Sequence, residues 1–165
     1  MTRALVFHSH SADETRWMGI LLGAELQEGD FLALRGELGS GKTTLAGGIG
    51  VGLGVEGALA SPTYLLCREH PGRLLLFHLD AYFGERMESL LAEGLAERLA
   101  GQGVVIAEWP ERMEAWLPSD RLDVQLEGAG NERVLAFQAT GPHGEALLER
   151  VQGAVKKMDE GRRRR

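Results

Sequence analysis

A glycine-rich segment near the start of the chain has the residue types and the spacing that bind a triphosphate. The segment consists of Gly36, Glu37, Leu38, Gly39, Ser40, Gly41, Lys42 and Thr43, followed by Thr44. Its glycines let backbone N–H groups turn inward around an anion, because no Cβ stands in the way. The lysine ammonium can reach the β and γ phosphates, and the threonine hydroxyl after it can ligate magnesium. This pattern is that of a P-loop (Walker A motif), and it predicts binding of ATP with Mg²⁺.

A P-loop lies between a buried strand and a helix, and the flanking residues match both elements. Residues 31–35 are predicted to form a short apolar strand, and residues 43–53 place Leu45, Ile49 and Leu53 on one helical face. The same helix contains Gly47, Gly48, Gly50 and Gly52. Each of these glycines costs roughly 1 kcal/mol relative to alanine. We therefore expect the helix to depend on packing within the fold or on a partner that approaches its glycine face.

Two acidic residues each follow an apolar run further along the chain. Asp80 ends the run 74–79, and Glu108 ends the run 104–107. In α/β sheets the ligand crevice lies beyond the carboxyl ends of the strands, so both acids can offer carboxylates to magnesium. Two arrangements stay open: both acids hold the metal with Thr43, or one holds it while the other positions the attacking water. Lys42, Asp80 and Glu108 are therefore the candidate catalytic residues.

Several other side chains carry weaker signals. Thr63 lies in the loop after the P-loop helix, where it could contact the γ-phosphate or the metal, or belong to a simple turn. His78 is expected to be a core histidine, and Trp109 fits core packing and a contact surface equally well. The histidines show no spacing that suggests zinc. Cys67 is expected to be a buried structural thiol.

The remaining periodicity alternates between strands and helices. Strands are predicted at 3–8, 63–68, 74–79, 103–107, 121–126 and 133–139, and helices at 11–27, 85–100 and 145–158. Ser11 or Asp13 is expected to cap the first helix, and Gly94 to interrupt the helix at 85–100. The expected inner face of the first helix consists of Trp17, Ile20, Leu21 and Ala24. With hairpins at 63–79 and 121–139, the predicted fold is an α/β, P-loop NTPase-like three-layer sandwich with a mixed central sheet and hairpin edges.

Length and composition fit one intracellular domain. The 165 residues are 44% apolar and 25% charged, with a net charge of −6 at pH 7, which is ordinary for a globular protein. We expect a single domain over residues 1–160 and a basic, disordered tail over 161–165. The acidic body argues against a broad nucleic-acid surface. Because the chain has one cysteine, no signal peptide and no apolar stretch of membrane-spanning length, we expect a cytoplasmic location without membrane contact.

Four segments occur in an order that resembles one known family. They are GELGSGKTT at 36–44, SPTY at 61–64, HLDAY at 78–82 and EWPE at 108–111. The chain resembles the bacterial TsaE (YjeE) family over roughly residues 3–157. The resemblance implies an ATPase that assists the TsaD and TsaB proteins in placing threonylcarbamoyl on N6 of adenosine 37 in tRNAs reading ANN codons. The tRNA would then be an indirect partner.

The resemblance also implies roles for individual residues in phosphate chemistry. Lys42 and the loop glycines would hold the phosphates, and Thr43 and Glu108 would ligate magnesium. Asp80 stands where the family needs an acid for hydrolysis. These roles assign one acid to the metal and the other to the attacking water.

Four further positions match the family outside the phosphate site. Thr63 and Trp109 correspond to positions near the γ-phosphate and in partner-facing loops. Ser11 and Arg133 correspond to positions that hold adenine. The adenine roles of Ser11 and Arg133 are implied by the resemblance alone.

Two other functions remain compatible with the residues. A small-molecule kinase also begins with a P-loop, although it usually adds an arginine-rich lid that this chain lacks. A nucleotide-gated scaffold would use ATP binding to set partner affinity, and a GTPase is disfavoured because no Asn-Lys-x-Asp element is present. None of Arg35, Arg68 and Arg86 lies in a motif that points at the γ-phosphate, so we expect slow hydrolysis by the isolated chain. Lys42 is expected to face solvent until phosphate binds.

Overall fold

The computed structural model describes residues 4–57, 59, 66–100 and 102–165. Its strands are β1 (Ala4–Ser9), β2 (Phe31–Arg35), β3 (Cys67–His70), β4 (Leu76–Asp80), β5 (Val104–Glu108), β6 (Arg121–Glu127) and β7 (Arg133–Thr140). Its α-helices are α1 (Ala12–Glu25), α2 (Lys42–Gly52), α3 (Gly84–Leu90), α4 (Ala96–Leu99) and α5 (Gly141–Arg163). A π-helical turn over Leu91–Leu95 joins α3 to α4, and a 3-10 helix covers Pro110–Trp116. Each predicted element has a counterpart among the described residues, although α5 extends beyond the predicted range 145–158 at both ends.

The strands form one mixed sheet in the order β1-β7-β6-β2-β5-β4-β3. Strand β2 lies near the centre and pairs in parallel with β5 and β6, and β4 pairs in parallel with β5. The hairpins β3–β4 and β6–β7 are antiparallel, and β1 lies outside β7 as an edge strand. The mixed sheet and its hairpins confirm the predicted fold class.

Alternate residues of the central strands face two separate cores. Leu32 and Leu34 of β2 join a cluster with α1, α2 and α5. Phe31 and Ala33 of the same strand join a second cluster that includes Met87 of α3. Because side chains of a strand point alternately to opposite faces, each face is covered by its own layer of helices. This arrangement is a three-layer sandwich.

Helices α1 and α2 pack backbone to backbone through glycines. A Cβ added to Gly19 would lie 2.3 Å from the carbonyl oxygen of Leu45, and one added to Gly48 would lie 2.1 Å from that of Arg16. The glycine face of α2 is therefore covered by α1. Gly23 and Gly52 make equally close approaches one turn further along.

The expected inner face of α1 was right in part, because Trp17 and Leu21 pack against the core, but its fully buried side chains lie one position further along. The buried apolar side chains of α1 are Met18 and Leu22, while Ala24 is exposed. Trp17, Ile20 and Leu21 are partly buried at the margin of the face. The shift follows from the glycines, because the closest contact with α2 uses backbone atoms and leaves the large side chains to either side.

The structure agrees with the predicted interruption at Gly94 but differs at the predicted boundary after residue 160. Gly94 has a left-handed φ of 132° and kinks the segment between α3 and α4, as predicted for residues 85–100. Helix α5 continues to Arg163, so the boundary placed after residue 160 falls within a helix, where Arg162 and Arg163 suit the negative end of the helix dipole. None of the helices in the described part of the chain combines the length and apolar character that crossing a bilayer requires.

Candidate phosphate-binding site

The P-loop connects the carboxyl end of β2 to the amino end of α2. Gly36, Gly39 and Gly41 have φ angles of 150°, 79° and 104°, and Gly41 immediately precedes the first turn of α2. A Cβ at Gly36 would also lie 2.6 Å from the carbonyl oxygen of Leu126 and 2.6 Å from Oγ of Ser40. The loop therefore has the backbone that an anion nest requires, at a helix N-terminus that attracts negative charge.

Lys42 is buried beside the loop, and the expectation that it faces solvent was wrong. Only 6% of the residue is exposed. Its Nζ donates a hydrogen bond of 2.6 Å to the carbonyl of Gly36 and lies 3.7 Å from the centroid of the Trp109 ring. The loop carbonyl and the aromatic face replace water around the ammonium. Burial lowers the pKa of Lys42, and the nearby carboxylates of Glu108 and Glu111 oppose that shift.

The two acids predicted from the strand ends lie side by side. Asp80 and Glu108 are register partners on the parallel strands β4 and β5, and only 6% and 5% of these residues are exposed. Oδ1 of Asp80 accepts a hydrogen bond of 2.9 Å from the backbone N–H of Tyr82. Both carboxylates are close enough to Lys42 to act on its pKa. They form an oxygen-rich edge that could serve a hard cation.

His78 is a core histidine, as expected, and it orients one of the acids. Its Nε2 is 2.6 Å from Oε2 of Glu108, and both side chains are buried. A carboxylate held by a buried neighbour keeps one orientation, which is how supporting residues position metal ligands. The sequence pattern alone could not show this contact, because the two residues lie on different strands, 30 positions apart in the chain.

Trp109 follows Glu108 directly and adopts a left-handed backbone, with φ 55° and ψ 47°. Its ring packs edge-to-face on Tyr82, with centroids 5.3 Å apart. The guanidinium of Arg112 lies 4.5 Å from the Tyr82 ring and 5.1 Å from the Trp109 ring, and it donates to the backbone carbonyl of Tyr82. A bulky residue in this strained conformation indicates that the surrounding contacts hold it there.

Arg112 is a site residue that the sequence does not single out. Its only signal is its position one residue after the EWPE segment. Arg35, Arg68 and Arg86 do not stack on Trp109, and Arg86 lies over the Phe83 ring. Instead, Arg35 pairs with Asp123 at 3.0 Å.

Among the remaining P-loop side chains, Ser40 is buried, and the others are exposed or lie in the first turn of α2. Thr43 is exposed and Thr44 is half-buried. Glu37 is exposed, and Leu38 is 86% exposed. These two loop residues and Trp109 line a cavity of about 440 Å³ beside the loop. Thr63 lies outside the described residues.

The two residues matched to adenine positions lie at the start of α1 and at the start of β7. Ser11 caps α1, where its Oγ accepts a hydrogen bond of 3.1 Å from the N–H of Glu14. Arg133 lines a small cavity of about 60 Å³ together with Thr15 and Thr44. The same cavity is lined by Gly41 of the P-loop and by Ala12, the neighbour of Ser11, and contact of Ser11 or Arg133 with adenine stays a prediction.

The residues at this site fit a polyphosphate with a divalent cation. Three left-handed glycines and a buried ammonium suit the anion, and two adjacent carboxylates suit a hard metal. Among the described residues, no group of three or more His, Cys, Asp or Glu side chains is arranged to hold a metal. A cation bound to Asp80 and Glu108 would therefore need further oxygens, which Thr43 and phosphate groups can offer.

Two other features lie away from this site. A larger cavity of about 510 Å³ opens at the amino ends of β2 and β5, lined mainly by apolar side chains such as Phe31 and Trp116. The half-buried Cys67 thiol has its pKa raised to about 11 by burial, which makes it a poor nucleophile at neutral pH. Neither feature joins the P-loop.

The fold and the loop define the class of this protein as a P-loop NTPase-like α/β protein. A family model described as "Threonylcarbamoyl adenosine biosynthesis protein TsaE" matches residues 9–135. The chain therefore belongs to the TsaE family, whose members take part in tRNA threonylcarbamoyladenosine biosynthesis. This result confirms the resemblance noted from the four sequence segments.

Individual relatives agree with the family assignment. The tRNA threonylcarbamoyladenosine biosynthesis protein TsaE of Bacillus subtilis (strain 168) is 38% identical over 152 residues, which cover 90% of this chain and 94% of the relative. The protein of the same name from Nostoc is 39% identical over 78% of this chain and 83% of its own length. A crystal structure of Bacillus subtilis YdiB matches with a TM-score of 0.81 and 35% identity, covering 93% of this chain and 97% of that one.

Proposed function

We propose that this protein binds and hydrolyses ATP with Mg²⁺, and that it does so as an accessory to TsaD and TsaB in threonylcarbamoylation of N6 of adenosine 37 in tRNA. The proposal rests on one observation: a P-loop, a buried lysine and two adjacent carboxylates lie together at one edge of the sheet. A P-loop protein needs these three kinds of group for phosphoryl transfer to water.

Each group has a proposed task. The backbone N–H groups of the P-loop and Lys42 would hold the phosphates, with the ammonium exchanging the Gly36 carbonyl for phosphate oxygens. Thr43 and Glu108 would hold Mg²⁺, which neutralises charge on the phosphates when bound. Asp80 would orient the attacking water. Thr63 would contact the γ-phosphate, and the resemblance implies adenine contacts at Ser11 and Arg133.

The surroundings of the site support a role for partner proteins. Leu38, Tyr82 and Phe83 are exposed apolar side chains. Leu38 shares a cavity with Trp109, the Tyr82 ring contacts the Trp109 ring, and the Phe83 ring contacts the Tyr82 ring. Trp109 in turn contacts Lys42. A change at the lysine would therefore reach an exposed apolar surface that suits protein docking.

This link also favours a second candidate function, a nucleotide-gated scaffold. In a scaffold, binding of ATP would rearrange Trp109 and Tyr82 and thereby set partner affinity, without a need for turnover. The two functions differ in whether hydrolysis is essential. Asp80 is the residue at which they can be separated.

Alanine variants of three residues test the proposed roles. Lys42→Ala should lower ATP affinity at least about 10-fold, because charge-assisted hydrogen bonds to phosphate are lost. Glu108→Ala should weaken Mg²⁺-dependent binding, whereas Asp80→Ala should spare binding and slow hydrolysis by roughly 100-fold. Nucleotide titration, turnover and melting curves provide the readouts. A folded Lys42→Ala variant with unchanged binding and turnover would refute the ATPase proposal.

Turnover with and without partners tests the accessory role. The isolated protein should hydrolyse ATP slowly, and TsaD with TsaB should raise the rate strongly, since a cationic group supplied at the γ-phosphate is worth about 10³ to 10⁵ in rate. Fast turnover that ignores the partners would contradict the coupling and favour a kinase. If Asp80→Ala binds ATP, does not hydrolyse it and still supports tRNA modification, the scaffold function is correct.

A further inference from the structure

Arg133 joins the P-loop to the turn of the β6–β7 hairpin through one guanidinium group. Its Nε donates to the carbonyl of Ser40 at 2.9 Å, and its Nη2 donates to the carbonyl of Gly39 at 3.0 Å. Its Nη1 donates to the carbonyls of Gly130 and Glu132 at 2.7 and 2.8 Å. The side chain therefore binds two consecutive carbonyls of the loop and two of the hairpin turn.

These hydrogen bonds orient the peptide groups of the P-loop. The carbonyl and N–H of a trans peptide point in opposite directions. When Arg133 holds the Ser40 carbonyl, the N–H of Gly41 in the same peptide must point away from the guanidinium. In the preceding peptide, the N–H of Ser40 donates to the carbonyl of Glu37 at 3.1 Å. Two adjacent peptides of the loop thus have their orientation set from outside.

The charge of Arg133 is available to the site as well. Its four acceptors are neutral carbonyls, so none of them cancels the positive charge. By contrast, Arg35 and Arg121 on neighbouring strands pair with the carboxylate of Asp123. A guanidinium held directly behind an anion nest adds attraction for phosphate without touching it.

We infer that Arg133 is a positioning residue for phosphate binding, which acts through the P-loop backbone and not through the nucleotide base. The inference rests on the proposed function only in that the P-loop must bind phosphates. It differs from the adenine contact implied by the resemblance in its selectivity. A loop clamp affects every polyphosphate equally, while an adenine contact affects only adenine nucleotides.

The experiment compares dissociation constants for ATP and for inorganic tripolyphosphate, both with Mg²⁺, in the wild-type protein and in Arg133→Ala. We expect both constants to rise by a similar factor of about 10, because two hydrogen bonds that preorganise the loop are lost. Added guanidinium ion at non-denaturing concentration should restore part of the affinity. Arg133→Lys should remain defective although it keeps the charge, since an ammonium cannot reproduce the planar fork that binds two carbonyls.

Arg73→Ala is the matched control. Arg73 also uses its guanidinium to bind backbone carbonyls, those of Gly23 and Leu26 at the end of α1, each at 3.0 Å. Its loss should lower the melting temperature about as much as the loss of Arg133 while leaving both dissociation constants unchanged. A comparable loss of affinity in Arg73→Ala would mean that Arg133 acts only through general stability.

Other results would overturn the inference in distinguishable ways. Weaker ATP binding with unchanged tripolyphosphate binding would make Arg133 an adenine contact. Unchanged binding in Arg133→Ala, with binding lost in Lys42→Ala, would refute the clamp and leave the proposed function intact. If the wild-type protein binds neither ligand, the proposed function itself fails.

Discussion

The P-loop and helix α2 are consecutive and both rich in glycine, but glycine is required in the two segments for different physical reasons. Gly39 has a left-handed φ of 79°, and a Cβ added to it would meet no atom within 4 Å. Gly48 lies within α2, and its added Cβ would lie 2.1 Å from the carbonyl oxygen of Arg16. The loop needs glycine for its backbone conformation, whereas the helix needs it for close approach.

Gly39 and Gly48 are nine positions apart in the chain, yet we expect the first to serve ligand binding and the second to serve stability. A side chain in the loop disturbs the orientation of N–H groups that face a ligand. A side chain on the packed face of α2 forces two helices apart and affects the whole domain. The most informative substitutions therefore replace a glycine by alanine, once in the P-loop and once in α2.

The largest effect on stability is expected from Gly48→Ala. The new methyl group meets backbone, which cannot move aside as a flexible side chain can, so we expect a loss of about 3 kcal/mol in the free energy of unfolding. For a chain of this size that corresponds to a fall of roughly 10 °C in melting temperature. Urea and thermal denaturation measure it. A variant that melts like the wild type would show that α1 and α2 can separate at little cost.

A smaller effect, of a different kind, is expected from Gly39→Ala. Alanine in the left-handed region costs about 1 kcal/mol or more, and the open space around the residue lets the loop relax away from this conformation. ATP affinity should fall about 10-fold as the nest is distorted, with a much smaller change in melting temperature than in Gly48→Ala. If the variant loses stability but keeps its affinity, the assignment of the loop glycines to function is wrong.

The smallest effect, and the opposite sign, is expected from Gly47→Ala. This glycine is next to Gly48, yet a Cβ added to it meets no atom within 4 Å. Alanine should stabilise the helix by up to about 1 kcal/mol and raise the melting temperature slightly, without changing ATP affinity. Destabilisation comparable to that of Gly48→Ala would mean that any side chain in this stretch of α2 is harmful.

The sequence predicted the elements of this site better than the contacts between them. Residues 36–43 carry a pattern confined to one stretch of chain, and Asp80 and Glu108 each end a recognisable strand. Both acids could be assigned to one edge because parallel strands share a direction. The inner face of α1 was predicted only in part, because the glycines that set it belong partly to α2.

Lys42 and Arg133 illustrate what the sequence could not show. Lys42 belongs to an obvious motif, yet its burial depends on Trp109, which directly follows strand β5. Arg133 is separated from Ser40 by 93 positions in the chain. They meet only because β7, which begins at Arg133, pairs with β6, and β6 pairs with β2. The sequence alone determined the P-loop, the strand-end acids and the fold class, since these depend on local spacing and periodicity. Only the tertiary structure decided which groups surround the lysine and the loop, because the pairing of distant strands sets those contacts.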